Sequence, residues 1–249
     1  MRIWQNGEMV ADTIARPSLQ DRGFTLGDGL FETLRFEGGE IPGLERHRAR
    51  LTRSCAVLGF ENPFDRYDLA QAARTLCFEH NLAQAALRLT ISRGEMARGL
   101  APARTENAQV WMTASPLAPP PDSVSLGLVS ICRNSTSPAS VHKTLSYTDG
   151  LQARRMADGM GADMALMRDE AGRLASADCA NLFWRREGQW FTPSEACGIL
   201  PGTMRARVLE ERGVIEGEYP LEDLLAADRI TLTNALMGEV EVSRIVGVG

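Results

Sequence analysis

The chain has 249 residues, 44% of them apolar and 24% charged, which suits one or two globular domains of about 150 residues and excludes a disordered or fibrous chain. A net charge of −5 argues against nucleic acid as a main partner, and no stretch comes near the roughly 18 uninterrupted apolar residues of a membrane span. Five cysteines without a C-x-x-C pair read as reduced thiols of a cytoplasmic protein, and three histidines without a paired spacing predict no metal site.

Residues 1–7 lack the apolar run of a secretory leader. Residues 44–58 predict a helix, with Leu44, Leu51, Cys55 and Leu58 on one stripe and Gly59 as its stop. Residues 65–81 predict a second, with Leu69, Ala73, Leu76 and His80 on one face. Residues 86–92 alternate Leu87, Leu89 and Ile91 with Arg88, Thr90 and Ser92, the pattern of a half-buried strand, and 109–114 predict another. The run 116–122, with Pro116, Pro119, Pro120 and Pro121, is the linker candidate, stiff and extended.

Beyond it, 125–131 predict a strand and 146–160 a helix opened by a Ser146/Asp149 capping box. Two hairpins follow, turning at 169–172 and 186–188. A helix over 203–212 stops at Gly213, and a short helix over 221–227 precedes a strand over 229–233. The mixture predicts an α+β fold in two lobes: a small N-terminal α/β domain (1–116), a linker (117–122) and a C-terminal domain (123–249).

The 27 basic residues include a single lysine, Lys143. Arginine keeps its proton and forms no imine, whereas a lysine amine does both kinds of chemistry. The count leaves two readings, a reactive amine and a leftover surface lysine. Placed just before a helix cap at Ser146, the amine would meet the positive end of a helix dipole, which favours its neutral form. Gly202-Thr203-Met204, at a loop-to-helix junction, predicts backbone donors for an anion, and Thr233-Asn234 ends a strand with further donors. Arg50 lies beside the apolar stripe of its helix. Each of these alone reads as a cap, a strand end or a snorkelling arginine. With a unique amine they describe a site for a phosphorylated aldehyde.

The motifs Asp21-Arg22-Gly23-Phe24, Gly27-Asp28-Gly29, Phe31-Glu32-Thr33, His47-x-x-Arg50-Leu51, Arg93-Gly94, Arg98-Gly99, Lys143-x-x-x-Tyr147, Asn181-Leu182-Phe183, Gly202-x-x-Arg205 and Thr233-Asn234-Ala235-Leu236-Met237-Gly238 resemble, in this order, the class IV aminotransferases. The resemblance implies a two-lobe, fold-type IV homodimer that holds pyridoxal 5'-phosphate (PLP) between the lobes and acts on a small amino substrate. It implies Lys143 as the Schiff-base lysine. Arg50, Gly202, Thr203, Met204, Thr233 and Asn234 would hold the phosphate, Tyr147 would sit near the ring hydroxyl, and Asn181 would belong to the cofactor site. It implies Phe31 and Arg98 on the substrate side, Arg98 because a guanidinium fork matches a carboxylate.

Within the family, Asn181-Leu182-Phe183-Trp184, Arg98-Gly99-Leu100, Met204 and Thr233 to Met237 are most similar to aminodeoxychorismate lyases, which implies conversion of 4-amino-4-deoxychorismate to 4-aminobenzoate and pyruvate for folate biosynthesis. The alternative is an aminotransferase acting on D-amino acids, branched-chain amino acids or amines. D-amino-acid aminotransferases usually carry Tyr and His at the positions of Phe31 and Leu100. One departure stands out: the family motif places a Glu five residues before the Asn, at the pyridine nitrogen, and here that residue is Ser176. Serine does not enforce ring protonation, so the ring is expected to be a weaker electron sink. A PLP-binding protein with degenerate catalysis is therefore a third reading. Asp178, on the same side in an extended segment, either substitutes for the Glu or is a solvated loop residue.

Overall fold

The computed structural model describes residues 2–96, 98–101 and 108–248. The chain forms two compact units, Met1–Ala118 with Lys143–Ser146, and Pro119–His142 with Tyr147–Gly249. The four residues 143–146 thus belong with the first unit, an exchange that a reading in consecutive stretches does not show.

In the first unit the chain runs β1 (Arg2–Gln5), β2 (Glu8–Ala11), α1 (Arg22–Leu26), β3 (Gly29–Glu37), α2 (Leu44–Leu58), α3 (Pro63–Arg66), α4 (Leu69–Glu79), β4 (Gln84–Ser92) and β5 (Gln109–Pro116). The strands form an antiparallel sheet in the order β2-β1-β5-β4-β3. Its core face takes Leu87, Leu89 and Ile91 from β4, Leu30, Leu34 and Phe36 from β3, and Leu51, Leu69 and Leu76 from the helices. The expected helix over 65–81 is two helices. Pro63 opens α3 behind an Asn62 cap, and Asp68 leaves helical geometry (φ −76°, ψ 86°) to cap α4 by accepting from the Gln71 N–H at 2.9 Å. His80 ends α4 and is not part of its inner face; its Nε2 lies 2.7 Å from the Arg2 carbonyl.

The strand alternation of β3 sends Glu32 to the same face as Leu30 and Leu34, so a carboxylate enters the core. The inner stripe of α2 answers it with His47, Arg50 and Ser54 beside Leu51 and Cys55. Arg50 Nε donates to Glu32 Oε1 at 2.8 Å and Nη2 to Oε2 at 2.5 Å, and His47 Nδ1 lies 2.8 Å from Oε2. Arg50 is therefore a buried ion-pair partner and not a snorkelling side chain.

The second unit runs β6 (Ser123–Leu128), α5 (Pro138–Val141), α6 (Thr148–Gly159), β7 (Met164–Arg168), β8 (Leu174–Ala177), β9 (Asn181–Arg186), β10 (Gln189–Pro193), α7 (Thr203–Glu211), β11 (Val214–Gly217), α8 (Leu221–Leu225), β12 (Arg229–Asn234) and β13 (Gly238–Val246). The sheet order is β11-β10-β9-β12-β13-β6-β7-β8, and β8 also pairs with β9. Strands β9, β12, β13, β6, β7 and β8 thus return on themselves around Leu126, Leu166, Leu182, Trp184, Leu232 and Val240. The hairpin between β9 and β10 turns at Glu187 and Gly188, both at positive φ (51° and 81°), as a tight twisted turn requires. Among the described residues no helix is long and apolar enough to cross a membrane.

The carboxyl of Glu32 carries a pH signature. Burial alone would push it up; the Arg50 charge and the hydrogen bonds from His47 and Arg50 outweigh burial and hold it at about 2, below its ordinary value of 4.5. Its stabilisation is therefore present above about pH 4.5 and is lost as pH falls towards 2. The loss should be roughly 3 kcal/mol. Denaturant melts between pH 5 and 2 are expected to fall less steeply for Glu32→Gln than for the parent, from a lower starting stability. Parallel profiles would contradict the ion-pair account.

Candidate active site

The first unit carries the amine. Residues Lys143–Ser146 pair with the start of β3 at one bridge: the Phe31 N–H donates to the Lys143 carbonyl at 2.9 Å, the Leu145 N–H donates to the Gly29 carbonyl at 3.0 Å, and Leu30 bridges Thr144. This approach needs glycine at 29, because a Cβ there would lie 2.4 Å from the Ile91 carbonyl oxygen and 2.5 Å from a Leu145 methyl. The expected Ser146 cap is not formed: α6 starts at Thr148 behind Tyr147, with no side-chain cap. The cause is the competing pairing with β3, which engages the backbone from the Lys143 carbonyl to the Leu145 N–H just before Ser146. The dipole argument for Lys143 lapses with the cap, since the effect is confined to the first turn.

The Lys143 Nζ lies 4.2 Å from the Phe31 ring centroid, and the Arg88 guanidinium carbon lies 3.8 Å from the same centroid. Phe31, Lys143 and Arg88 therefore form one constellation. Arg88 was not singled out in the sequence, where it reads only as the polar side of an alternating strand. Arg88, Arg98 and Leu100 are all exposed. The Asp21–Gly29 motif is scaffold. Asp21 caps α1 and accepts from Ser92 Oγ at 2.6 Å, and Asp28 is gripped by Arg22 and Arg93, while Arg93 also donates to the carbonyls of Leu58 and Gly59. Burial works against the Asp28 carboxylate, but the two arginines hold it below the usual carboxylate range.

The second unit brings Ser176, Asn181, Gly202 and Thr233 together. Ser176 on β8, Asn181 on β9 and Thr233 on β12 are directly in register, and on β9 and β12 the next positions in line, Leu182 and Leu232, face the core. Asn181 Nδ2 donates to the Leu200 carbonyl at 2.8 Å and so ties β9 to the loop entering α7. A Cβ at Gly202 would fall 2.0 Å from Asn181 Oδ1, so only glycine fits as the first residue of that entry. Gly202 is the N-cap of α7 and supplies no side chain to its first N–H groups. Thr233 Oγ1 is buried without a hydrogen-bond partner. An uncapped helix N-terminus together with an orphaned hydroxyl suits a phosphate group. Asn234 is different: its Oδ1 accepts from the Leu236 and Met237 N–H groups at 3.0 and 2.8 Å, which makes it a turn former.

Ser176 is buried, and its hydroxyl accepts from Arg133 Nε at 3.2 Å. Arg133 also donates through Nη2 to the carbonyls of Ala177 and Asp178, at 3.2 and 3.0 Å. Asp178 is neither of the residues expected. It is 3% exposed, hence no solvated loop residue, and its carboxylate is clamped by Arg154 Nε and Nη2 at 2.6 and 2.7 Å and by the Ala165 N–H at 2.9 Å. The strand that would have carried it alongside Ser176 ends at Ala177, and a turn from Ala177 to Ala180 follows. Burial lowers the proton affinity of Arg133 against the opposing pull of Tyr147, Asp178, Asp149 and Cys179 around it. No sequence signal distinguished Arg133 or Arg154 in a chain that uses arginine for nearly every cation.

The family described as amino-transferase class IV matches residues 29–245. The aminodeoxychorismate lyase of Bacillus subtilis is 28% identical over 98% of this chain and 86% of its own length. The crystal structure of 4-amino-4-deoxychorismate lyase from Pseudomonas aeruginosa superposes with a TM-score of 0.86 at 28% identity, covering 98% of this chain and 91% of that one. A branched-chain amino acid aminotransferase from T.th., complexed with N-(5'-phosphopyridoxyl)-L-glutamate, superposes with a TM-score of 0.89 at 25% identity, covering 98% of this chain and 85% of that one.

Proposed function

Because this chain belongs to the class IV aminotransferases, and is a PLP-dependent enzyme, we propose that it is a lyase of the aminodeoxychorismate lyase type, releasing 4-aminobenzoate and pyruvate from 4-amino-4-deoxychorismate. The cofactor supplies an aldehyde that bonds to amines and a conjugated ring that accepts electrons. The observation that carries the reading is the placement of the only lysine in the sequence, built onto β3 beside Phe31.

Lys143 Nζ would anchor the cofactor and, once exchanged for the substrate amine, take a proton as general base. The N-terminus of α7 at Gly202, Thr203 and Met204 would bind the phosphate with the Thr233 hydroxyl and with Arg50, whose guanidinium plane Glu32 fixes. Tyr147 would face the ring hydroxyl, and Ser176 the ring nitrogen. Asn181 would hold the α7 entry in place, and Asn234 the turn after Thr233. Arg88, stacked on the same ring as the amine, is placed to meet a substrate carboxylate beside Lys143, which favours it over Arg98 as the reader of that group. An uncharged group at the ring nitrogen favours elimination, in which a leaving group drains the electrons at once, over transamination.

Incubation with 4-amino-4-deoxychorismate and no keto acid is expected to yield 4-aminobenzoate and pyruvate. Amine transfer to pyruvate or 2-oxoglutarate would instead support the aminotransferase reading, which the likeness to the branched-chain enzyme favours. Lys143→Ala should lose the borohydride-trapped cofactor adduct and reduce turnover by roughly 10³-fold; an adduct persisting on the variant would refute the assignment. Thr233→Val removes an orphaned hydroxyl, so the fold should keep its stability while the Kd for PLP rises about tenfold; equilibrium dialysis measures this. Arg88→Gln should raise KM by about tenfold or more, with Arg98→Gln near the parent; steady-state kinetics with the reverse ranking would restore Arg98 as the carboxylate reader.

A further inference from the structure

We propose that Arg133, acting through Ser176, keeps the pyridine nitrogen of the cofactor unprotonated and fixes it as an acceptor of the Ser176 hydroxyl. The inference rests on the reading of this chain as a PLP enzyme with Ser176 at the ring nitrogen. Its ground is the hydrogen-bond arithmetic at one side chain. Ser176 Oγ has one proton and two lone pairs. Arg133 Nε–H fills one lone pair at 3.2 Å, and the hydroxyl proton points to the Ala177 carbonyl at 2.8 Å. Turning that proton from the carbonyl to the nitrogen costs little, since Arg133 Nη2 already donates to the same carbonyl at 3.2 Å.

The opposite arrangement, a protonated ring nitrogen donating to Ser176, would aim two positively charged donors at one neutral oxygen. Like charges this close disfavour the second proton. The Arg133 charge is permanent and half-buried, and it makes its hydrogen bonds to a hydroxyl and two carbonyls. The carboxylate beside it, Asp178, is engaged by Arg154 and the Ala165 N–H and offers no relief. The other groups whose charge acts on Arg133 are Tyr147, Asp149 and Cys179; Asp149 lies on the exposed first turn of α6 and Cys179 is exposed. Arg133 is thus a positioning residue. It touches Ser176, and through it sets the proton count at the far end of the ring.

The test uses holoenzyme loaded with PLP carrying 15N in its ring, with the resonance calibrated by acid titration of free PLP. Loading is verified separately by the borohydride-trapped adduct on Lys143. The parent resonance is expected at the unprotonated end from pH 6 to 9. Arg133→Gln should raise the pH midpoint of ring protonation by about one unit or more. Ser176→Glu, which keeps Arg133, should move the resonance towards the protonated end and serves as the second variant if Arg133→Gln does not fold. A loaded parent at the protonated end overturns the inference and leaves the enzyme reading standing; so does a midpoint unmoved in both variants. A parent that forms no adduct on Lys143 overturns both.

Discussion

The pairing of Lys143, Thr144 and Leu145 with the first residues of β3 is the constraint from which the rest of the candidate chemistry follows. A lysine side chain has four rotatable bonds, and an amine on a surface loop would sample many positions. Here the backbone from the Lys143 carbonyl to Leu145 is fixed by the Phe31 and Leu145 hydrogen bonds, and the side chain lies along an aromatic ring. The start of β3 is fixed in turn by Asp28 between two arginines and by Gly29, which lets the added segment come close. Placement of the reactive atom is thus delegated to main-chain hydrogen bonds and one ion-pair brace, which hold position better than a lone side-chain contact.

Arginine performs the bracing throughout, and its geometry explains why. Arg93 donates to a carboxylate and to two carbonyls at once, Arg50 grips both oxygens of Glu32, Arg154 both oxygens of Asp178, and Arg133 reaches a hydroxyl and two carbonyls. A planar fork with five donors can satisfy several acceptors from one buried position, whereas an ammonium is a point charge that loses its proton more readily when buried. The one lysine lies instead along the Phe31 ring.

What the sequence made legible follows the strength of its periodic signals. The strand at Leu87, Leu89 and Ile91 and the helix around Leu51 and Cys55 stand where their alternation and 3.6-residue stripe put them. Strand β3 escaped because both of its faces are covered near Lys143, so Leu30, Phe31 and Glu32 show no alternation of polarity. The helix start at Ser146 failed for a tertiary reason: a local capping pattern competed with strand pairing far along the chain and lost. The motif residues Gly202 and Thr233 stood out in the sequence because glycine and threonine types carry steric and donor information of their own, and the close approach at Gly202 and the unpartnered hydroxyl of Thr233 are what those types permit. Arg88, Arg133 and Arg154 carried none, since their roles depend on which arginines the fold brings next to Phe31, Ser176 and Asp178.

The closed ring of the second unit shows how, on the proposed reading, one substitution at position 176 would reach the cofactor chemistry without disturbing its neighbours in the row. Ser176, Asn181 and Thr233 occupy three neighbouring strands in one register, so each is fixed by ladders that run through the others. A slip of one residue would turn all three towards the core and expose Leu182 and Leu232, which the packing forbids. Within that rigid row the residues divide their tasks by position: Thr233 with its orphaned hydroxyl at one end, Asn181 against the entry of α7 in the middle, Ser176 on Arg133 at the other. Exchanging a carboxylate for a hydroxyl at the last position changes the local charge by one unit and leaves the register intact. On the proposed reading, the phosphate end and the nitrogen end of the site would therefore vary independently, the first governing retention of the cofactor and the second its strength as an electron acceptor.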